Sequence, residues 1–528
     1  MSETMDITLD AGVQATAAEQ LTASAPAPQR RPVELSGDLY EDVEQIRQTL
    51  RADNQGQPSV FVTGGELTRL GRGDKGQPLI KRHTSMTFSH WIAERTRWVK
   101  VNRRGTSACN PPLSAVTAVR EMADSLDEVN GLERVVQVPF FTRERRLADA
   151  EGYHKSSRVW YQASPRFAVP RVSEDPSASQ VEAAKELILN HLLVDFPFAS
   201  QADRAGAVAM LLEPFARDVI QGNTPLHLIE AATQGTGKSK LAQNCMAVAL
   251  GCKPDDVPMQ ALSHDEAEIQ KGITTDLMTG TPVVIYDNVS HHVKSPALAQ
   301  ALTSGTWAKR QLGGHDKAEF EIRFSWVMTS NNAAYDKDTA RRLSLIRLDL
   351  TKLDGVEASV CENPETRDGF KHSNLEGWVM DHQGRLVWAC LTLIQAWITA
   401  GGKAWSGKPL GSFESWSMVM GGVLEAAGID GFLANRHQIE ASGGDDRESI
   451  LAFLQAWNTA HQGVDVTPAD LAELNQSQEN PLDHKPDKSG SLSGPMGFWL
   501  RKNKDRVVGG YQVIQSSSNK RKWRLHHI

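Results

Sequence analysis

The sequence predicts an α/β protein: a parallel β-sheet carrying a phosphate-binding loop, preceded by a small α+β domain and followed by a winged-helix-like domain. Three observations predict it. The apolar run Pro225-Leu-His-Leu-Ile229 leads at once into Ala231-Ala-Thr-Gln-Gly-Thr-Gly-Lys-Ser239, a strand running into a loop of small residues. From there to Leu350 strands alternate with helices, the pattern of a parallel sheet covered on both faces. Composition shifts at the polar, proline-marked stretch 171–180 and again at the Gly/Asp-rich stretch 442–447. These shifts divide the chain into a tail (1–37), an N-terminal domain (38–171), a nucleotide-binding domain with a helical extension (172–440) and a C-terminal domain (441–528).

The chain has 528 residues, 40% of them hydrophobic, enough for several cores. Its formal charge of −7 excludes a globally basic nucleic-acid binder, so any basic surface is local. The cysteines Cys109, Cys245, Cys252, Cys361 and Cys390 are scattered, with no metal-ligand spacing, which fits reduced thiols and a cytoplasmic location. No apolar run approaches the ~18 residues of a membrane span, and the start lacks a basic-then-apolar signal pattern, so no membrane partner is expected.

Residues 1 to about 36 hold few large apolar groups and are expected to be disordered. Strand-like Val60-Phe-Val62 and Trp98-Val-Lys-Val101 mix with a helical stretch from Ala115 to Met122. After the linker, helices are expected over Val181–Leu193 and from Arg204 to Ile220, then the loop strand and a helix to Leu250. Leu386–Trp397, apolar nearly all round, reads as a buried helix. A helix over Glu448–Thr459 and a start signal at Val466-Thr-Pro open the last domain.

The loop carries the chemistry. Backbone N–H groups of Thr233, Gln234, Gly235, Thr236 and Gly237 can close around a triphosphate, Lys238 can reach its outer phosphates, and Ser239 can ligate Mg²⁺. Ala232 stands where the first glycine of the pattern usually lies, a change tolerated where φ stays negative. ATP and Mg²⁺ are the expected cofactors. Thr281-Pro-Val-Val-Ile-Tyr-Asp287-Asn288 is a strand ending in an acid 49 residues after Lys238 (287 − 238), so Asp287 is the expected metal-holding carboxylate. Asn288 follows it; it can hold a water but cannot take its proton. Glu266 is a candidate base, against the alternative of a solvated helix face. A third strand, Phe324 to Asn332, ends in amides, of which Asn331 can position a hydrolytic water. Arg341 and Arg342, ten and eleven residues later, are candidates for a guanidinium supplied in trans to a neighbour's phosphates.

Phosphate loop, strand-Asp-Asn, strand-Thr-Ser-Asn and an arginine pair, in this order, resemble the superfamily 3 helicase branch of the AAA+ ATPases. The match is best to the D5-like helicase part of phage, plasmid and integrative-element primase-helicases. Gly152-Tyr153, Gly411-Ser-Phe-Glu-Ser-Trp416 and Ala427-Gly-Ile-Asp-Gly-Phe-Leu433 extend the resemblance to the flanks. It implies an AAA+ core, a homo-oligomeric ring, usually hexameric, with ATP held between subunits, and a replicative DNA helicase of a mobile element. It also implies a β-hairpin before the third strand that tracks single-stranded or forked DNA, here Arg310 to Ile322, with His315 and Lys317 beside a Gly-Gly turn. Residues 38–170 show no acid or cysteine cluster for primer synthesis, so a primase or another replisome protein is the implied partner.

Between Arg501 and Arg524 eight Lys and Arg face one acid, Asp505. Phe498 to Lys504 reads as a recognition helix and the strands around 511–514 and 522–525 as a wing, offering Arg501, Lys502, Lys504, Lys520, Arg521 and Lys522 to DNA. Two other readings stay open: an origin-binding initiator or loading switch with slow hydrolysis, which Asn288 favours, and an ATPase that acts on protein partners.

Overall fold

The computed structural model describes residues 30–231, 234–289, 293, 295–310, 317–331, 335, 337–352, 360, 366–436, 445–477, 482, 491–504, 507–508, 511–516 and 521–527, apart from the side chains of 309–310, 317–318, 337–338, 445–449, 502, 507–508 and 527. Thr233, His315, Lys520 and Cys361 lie outside this set, as does the expected disordered tail up to residue 29. The chain forms two compact units, one of residues up to 62 with 66–69 and 82–130, the other of 63–65, 70–81 and 131–528.

In the first unit the strands Arg31–Glu34, Thr96–Asn102 and Gly105–Ala108 make a sheet whose first pair is parallel and second antiparallel. Helices Leu39–Asn54, Ser85–Arg95 and Leu113–Glu121 bury Ile46, Leu50, Phe88, Ile92, Val116 and Val119 against Trp98. The Asp38 side chain caps the first helix and a Thr84–Thr87 capping box opens the second, satisfying N–H groups that have no partner within the helix.

The second unit is built on four parallel strands. Their order is Val283–Val289 (the acid strand), Ser325–Asn331 (the sensor strand), Leu226–Ala231 (the loop strand) and Leu343–Leu348 (the closing strand). Side chains alternate across each strand. Ile229, Ala231, Ile285, Val327, Ile346 and Leu348 join the core on one face, with helices Gln201–Ala216, Lys238–Leu250 and Leu375–Thr399. Leu226, Leu228, Val284, Tyr286, Trp326, Met328, Leu343 and Leu345 join a second core with Glu266–Thr279 and Pro296–Thr303. A mixed α/β architecture with a parallel sheet is thus established, and the near-continuous apolar strands follow from burial on both faces.

Beneath the sheet, helix Gln201–Ala216 is buried almost all round. Its fully buried Glu213 accepts from His227 Nε2 at 2.8 Å and Trp416 Nε1 at 2.7 Å. Burial pushes its carboxyl up, but the charge and hydrogen bond of His227, with Ser325 and Arg217, outweigh that and hold it below the usual range. The described residues of the stretch 445–527 form helices Asp445–His461, Pro468–Gln476 and Ser493–Lys502, then an antiparallel sheet of Val507–Val508, Tyr511–Gln515 and Trp523–His527. No helix among the described residues is long and apolar enough to cross a membrane.

Candidate functional site

The sensor strand lies between the loop strand and the acid strand, so the carboxyl ends of all three converge. Open parallel sheets bind ligands at that edge. Ala231 pairs with Asn331, which brings the start of the loop beside the sensor amide. Gly235 and Gly237 have φ of 76° and 98°, conformations that cost a side-chain-bearing residue strain. They let the chain double back into helix Lys238–Leu250, whose N-terminal N–H groups and dipole make an anion site.

Odd-numbered positions of the acid and sensor strands face that helix, and the polar groups follow this parity. Ser239 Oγ donates to Asp287 Oδ1 at 2.7 Å, and Thr329 Oγ1 donates to the same oxygen at 2.5 Å. Lys238 Nζ donates to Asn331 Oδ1 at 2.5 Å. Burial pushes the Lys238 ammonium below its ordinary value, opposed by the charges of Asp287 and Glu230. A hydroxyl and a carboxylate meeting beside a buried lysine at a helix N-terminus suit a hard divalent cation and a polyphosphate. The residues present therefore fit Mg²⁺ and a nucleoside triphosphate.

The acid strand breaks its register after Tyr286, and Asn288 takes φ of 52°. That bulge turns two consecutive residues toward the site. Asn288 N–H donates to Thr329 Oγ1 at 2.8 Å, and Asn331 Nδ2 donates to Asn288 Oδ1 at 3.5 Å. Asparagine is among the residues that adopt this conformation most cheaply. The bulge also flips the strand's parity, since Val289 joins the opposite core from Val283 and Ile285.

Sequence reasoning missed Thr329, a wholly buried residue inside an apolar strand. It is the hinge point of the polar cluster, giving its proton to Asp287 and accepting from Asn288. Only the Thr-Ser-Asn string signalled it. Replacing Thr329 by valine keeps the volume but strands the Asn288 N–H and leaves Asp287 with Ser239 as its one hydroxyl donor. The Mg²⁺-dependent nucleotide affinity is expected to fall ~10-fold by titration calorimetry, with serine restoring it.

Glu266 is placed elsewhere. It opens helix Glu266–Thr279, where it accepts from Ser295 Oγ at 2.7 Å and Ala297 N–H at 2.5 Å, capping helix Pro296–Thr303. Both its oxygens are engaged in that cap. Arg341 and Arg342 lie between the short helix Lys337–Ala340 and the closing strand; Arg341 is exposed, whereas Arg342 is buried and its backbone carbonyl accepts from Leu226 N–H.

The hairpin before the sensor strand pairs Thr306–Arg310 with Lys317–Glu321, Arg310 opposite Lys317; the turn with His315 lies outside the described residues. Its root is bound tightly. Arg217, buried and pushed down to about 9 by burial, donates to the carbonyls of Gly222 at 2.9 Å, Ile322 at 3.0 Å and Ile220 at 3.4 Å. Asn223 Nδ2 donates to the Ser304 carbonyl at 2.9 Å and the Leu302 carbonyl at 3.1 Å.

At the returning strand's end, Arg143 lies 3.2 Å from Glu321 and 3.6 Å from Glu133. Burial, then the Glu321 charge, push the Glu133 carboxyl from 4.5 up to about 7. Its folded value is raised, so its contribution is full below pH ~4.5 and is lost as pH rises through ~7. Thermal unfolding of the full chain is expected to drop by ~3 °C between pH 5 and 8, a slope that Glu133→Gln flattens.

In the last domain, Met496 and Leu500 of helix Ser493–Lys502 are buried while Phe498 and Arg501 are exposed. Lys504 and Arg521 are exposed and Lys522 is half-buried. The side chain of Lys502 and the whole of Lys520 lie outside the described residues. Trp523, which the sequence interleaves with the basic residues, belongs to the core at 3% exposure.

No protein-family model matches the chain, and no curated protein does. It is similar to several solved structures. One is the apo A form of the NrS-1 C-terminal region, at 10% identity and TM-score 0.33, covering 87% of this chain and 96% of that chain. Another is the SCCmec type IV Cch active helicase, at 10% identity and TM-score 0.33, covering 89% of this chain and 94% of that chain. A third is the JCV helicase, at 10% identity and TM-score 0.21, covering 51% of this chain and 72% of that chain. At these scores the likeness carries no functional weight, which the site's own residues must bear.

Proposed function

We propose that this chain is an ATP-dependent, ring-forming replicative DNA helicase or translocase of a mobile genetic element, moving on single-stranded DNA through its hairpins. The carrying observation is the constellation Lys238, Ser239, Asp287, Thr329 and Asn331 at the carboxyl edge of the parallel sheet. In this reading Lys238 and the N–H groups of the loop, residues 233–237, hold the phosphates, Ser239 and Asp287 hold Mg²⁺, and Asn331 orients the attacking water. Bound Mg²⁺ would supply charge neutralisation between the outer phosphates. Exposed Arg341 is the guanidinium offered to a neighbouring subunit, and Arg342 serves the fold. His315 and Lys317 at the hairpin contact DNA, as do Arg501, Lys502, Lys504, Lys520, Arg521 and Lys522 of a winged-helix-like module. The motif order shared with D5-like helicases supports the ring and the mobile-element setting.

Motion follows if ATP-bound and ADP-bound subunits differ in affinity for one hairpin position. The test is the ATPase rate with and without single-stranded DNA. Several-fold stimulation together with strand displacement is expected; equal rates in both conditions would remove the motor.

A second reading has its own support in Asn288. A neutral amide bonded to Asn331 where a carboxylate would draw the proton from water favours slow turnover. Such a chain would be an origin-binding initiator or loading switch, recognised by ATP-dependent assembly without unwinding.

A further inference from the structure

The first unit carries a feature that the nucleotide chemistry does not use. Strands Thr96–Asn102 and Gly105–Ala108 form a two-stranded ribbon, joined by Arg103 and Arg104. Its base is fastened: Thr96 and Trp98 are each 2% exposed, and Thr96–Val99 pairs with Arg31–Glu34. Beyond that, every residue from Lys100 to Ala108 is exposed, including Val101 at 51%. At the rise of an extended strand, this free part reaches ~13 Å from the body of the unit.

Charge on this arm is of one sign. Residues 95–120 hold Arg95, Arg97, Lys100, Arg103, Arg104 and Arg120 and no acid, within a chain of net charge −7. Arg95 is occupied, paired with Asp53 and lying over Trp91, and Arg120 bonds the His83 carbonyl and Ser85. Arg97, Lys100, Arg103 and Arg104 enter no ion pair among the described residues; the one acid on the neighbouring strand's end is Glu34, opposite Val99. Strand alternation puts Arg97 on one face of the ribbon and Lys100 on the other, with the two remaining arginines at the tip. Cations left unpaired on both faces of a narrow arm match a trough with anionic walls on either side. The major groove of duplex DNA admits a two-stranded β-ribbon and is bordered by phosphates.

We propose that ribbon 96–108 is a duplex-DNA-binding arm that enters the major groove with Arg97, Lys100, Arg103 and Arg104 on the flanking phosphates. The arm grips DNA that is still double-stranded, a site distinct from the hairpin and the C-terminal module. It does not depend on the ATPase reading, because neither nucleotide nor hydrolysis enters it.

The test uses the full chain without nucleotide, and the fluorescence anisotropy of a labelled duplex of about 30 base pairs and of the matching single strand. Changing Arg97, Lys100, Arg103 and Arg104 together to alanine is expected to weaken duplex binding on the order of 50-fold. The slope of log affinity against log salt should flatten by about three to four. DNA-free ATPase and near-ultraviolet circular dichroism, which reports Trp91 and Trp98, should not change. Lysine in place of the three arginines should keep affinity within about threefold, since phosphate contact asks for charge more than for shape. Duplex affinity within about twofold of the parent for the alanine variant overturns the proposal. So does loss confined to the single strand, or a lysine variant as weak as the alanine one.

Discussion

Lys238→Ala is expected to lower ATP hydrolysis at least ~10³-fold and to weaken nucleotide binding, measured by steady-state turnover and by titration with a fluorescent nucleotide. The size follows from position. Buried Lys238 sits at the N-terminus of a helix, between the loop glycines and Asn331. An electrostatic contact in a water-poor pocket of that kind is worth several kcal/mol to a transferring phosphoryl group. The same change leaves Asp287 with its two hydroxyl donors, so the fold is expected to persist and Tm to shift by no more than ~3 °C. Turnover reduced by less than about tenfold would mean that phosphates lie elsewhere.

Arg341→Ala is expected to leave nucleotide affinity nearly intact while turnover falls by ~10³ or more, because a guanidinium supplied in trans acts on the transition state rather than on the bound triphosphate. Arg342→Ala should behave differently, destabilising the chain, since this neighbour is 8% exposed. The pair thus separates two roles that adjacent residues could share. Mixing parent and Arg341→Ala chains sharpens the experiment. In a shared site, activity falls with the fraction of variant more steeply than in proportion; a linear decline, or nucleotide-loaded particles that stay monomeric, would sink the intersubunit site.

What the sequence made legible was local. Loop and following helix, acid strand and sensor strand were readable because a strand announces itself by apolar residues and a phosphate loop by small ones, neither needing a distant partner. The helix from Lys238 and the strand Val283–Val289 lie where that reasoning put them. Lateral order was not legible. Nothing in a linear string says that Ser325–Asn331 inserts between strands that precede it in the chain, and it is this insertion that brings Asn331 to Lys238. The bulge at Asn288 and the role of Thr329 depend on cross-strand register, which is a tertiary quantity. Glu266 shows the converse: helix spacing made it a free carboxylate, whereas Ser295 and Ala297, brought in by a later helix, occupy both its oxygens.

The clasp formed by Arg217 and Asn223 has a mechanical corollary. Three backbone carbonyls, Ile322 held by the guanidinium and Leu302 and Ser304 held by the amide, join both legs of the hairpin to the segment after helix Gln201–Ala216, and the guanidinium also grips the Ile220 and Gly222 carbonyls within that segment. With the guanidinium shielded from competing water, these bonds share any tug on the tip in parallel instead of breaking one after another like a zipper. The base of the hairpin should therefore behave as a stiff lever, and a load carried by its strands would pass to the parallel sheet through these bonds.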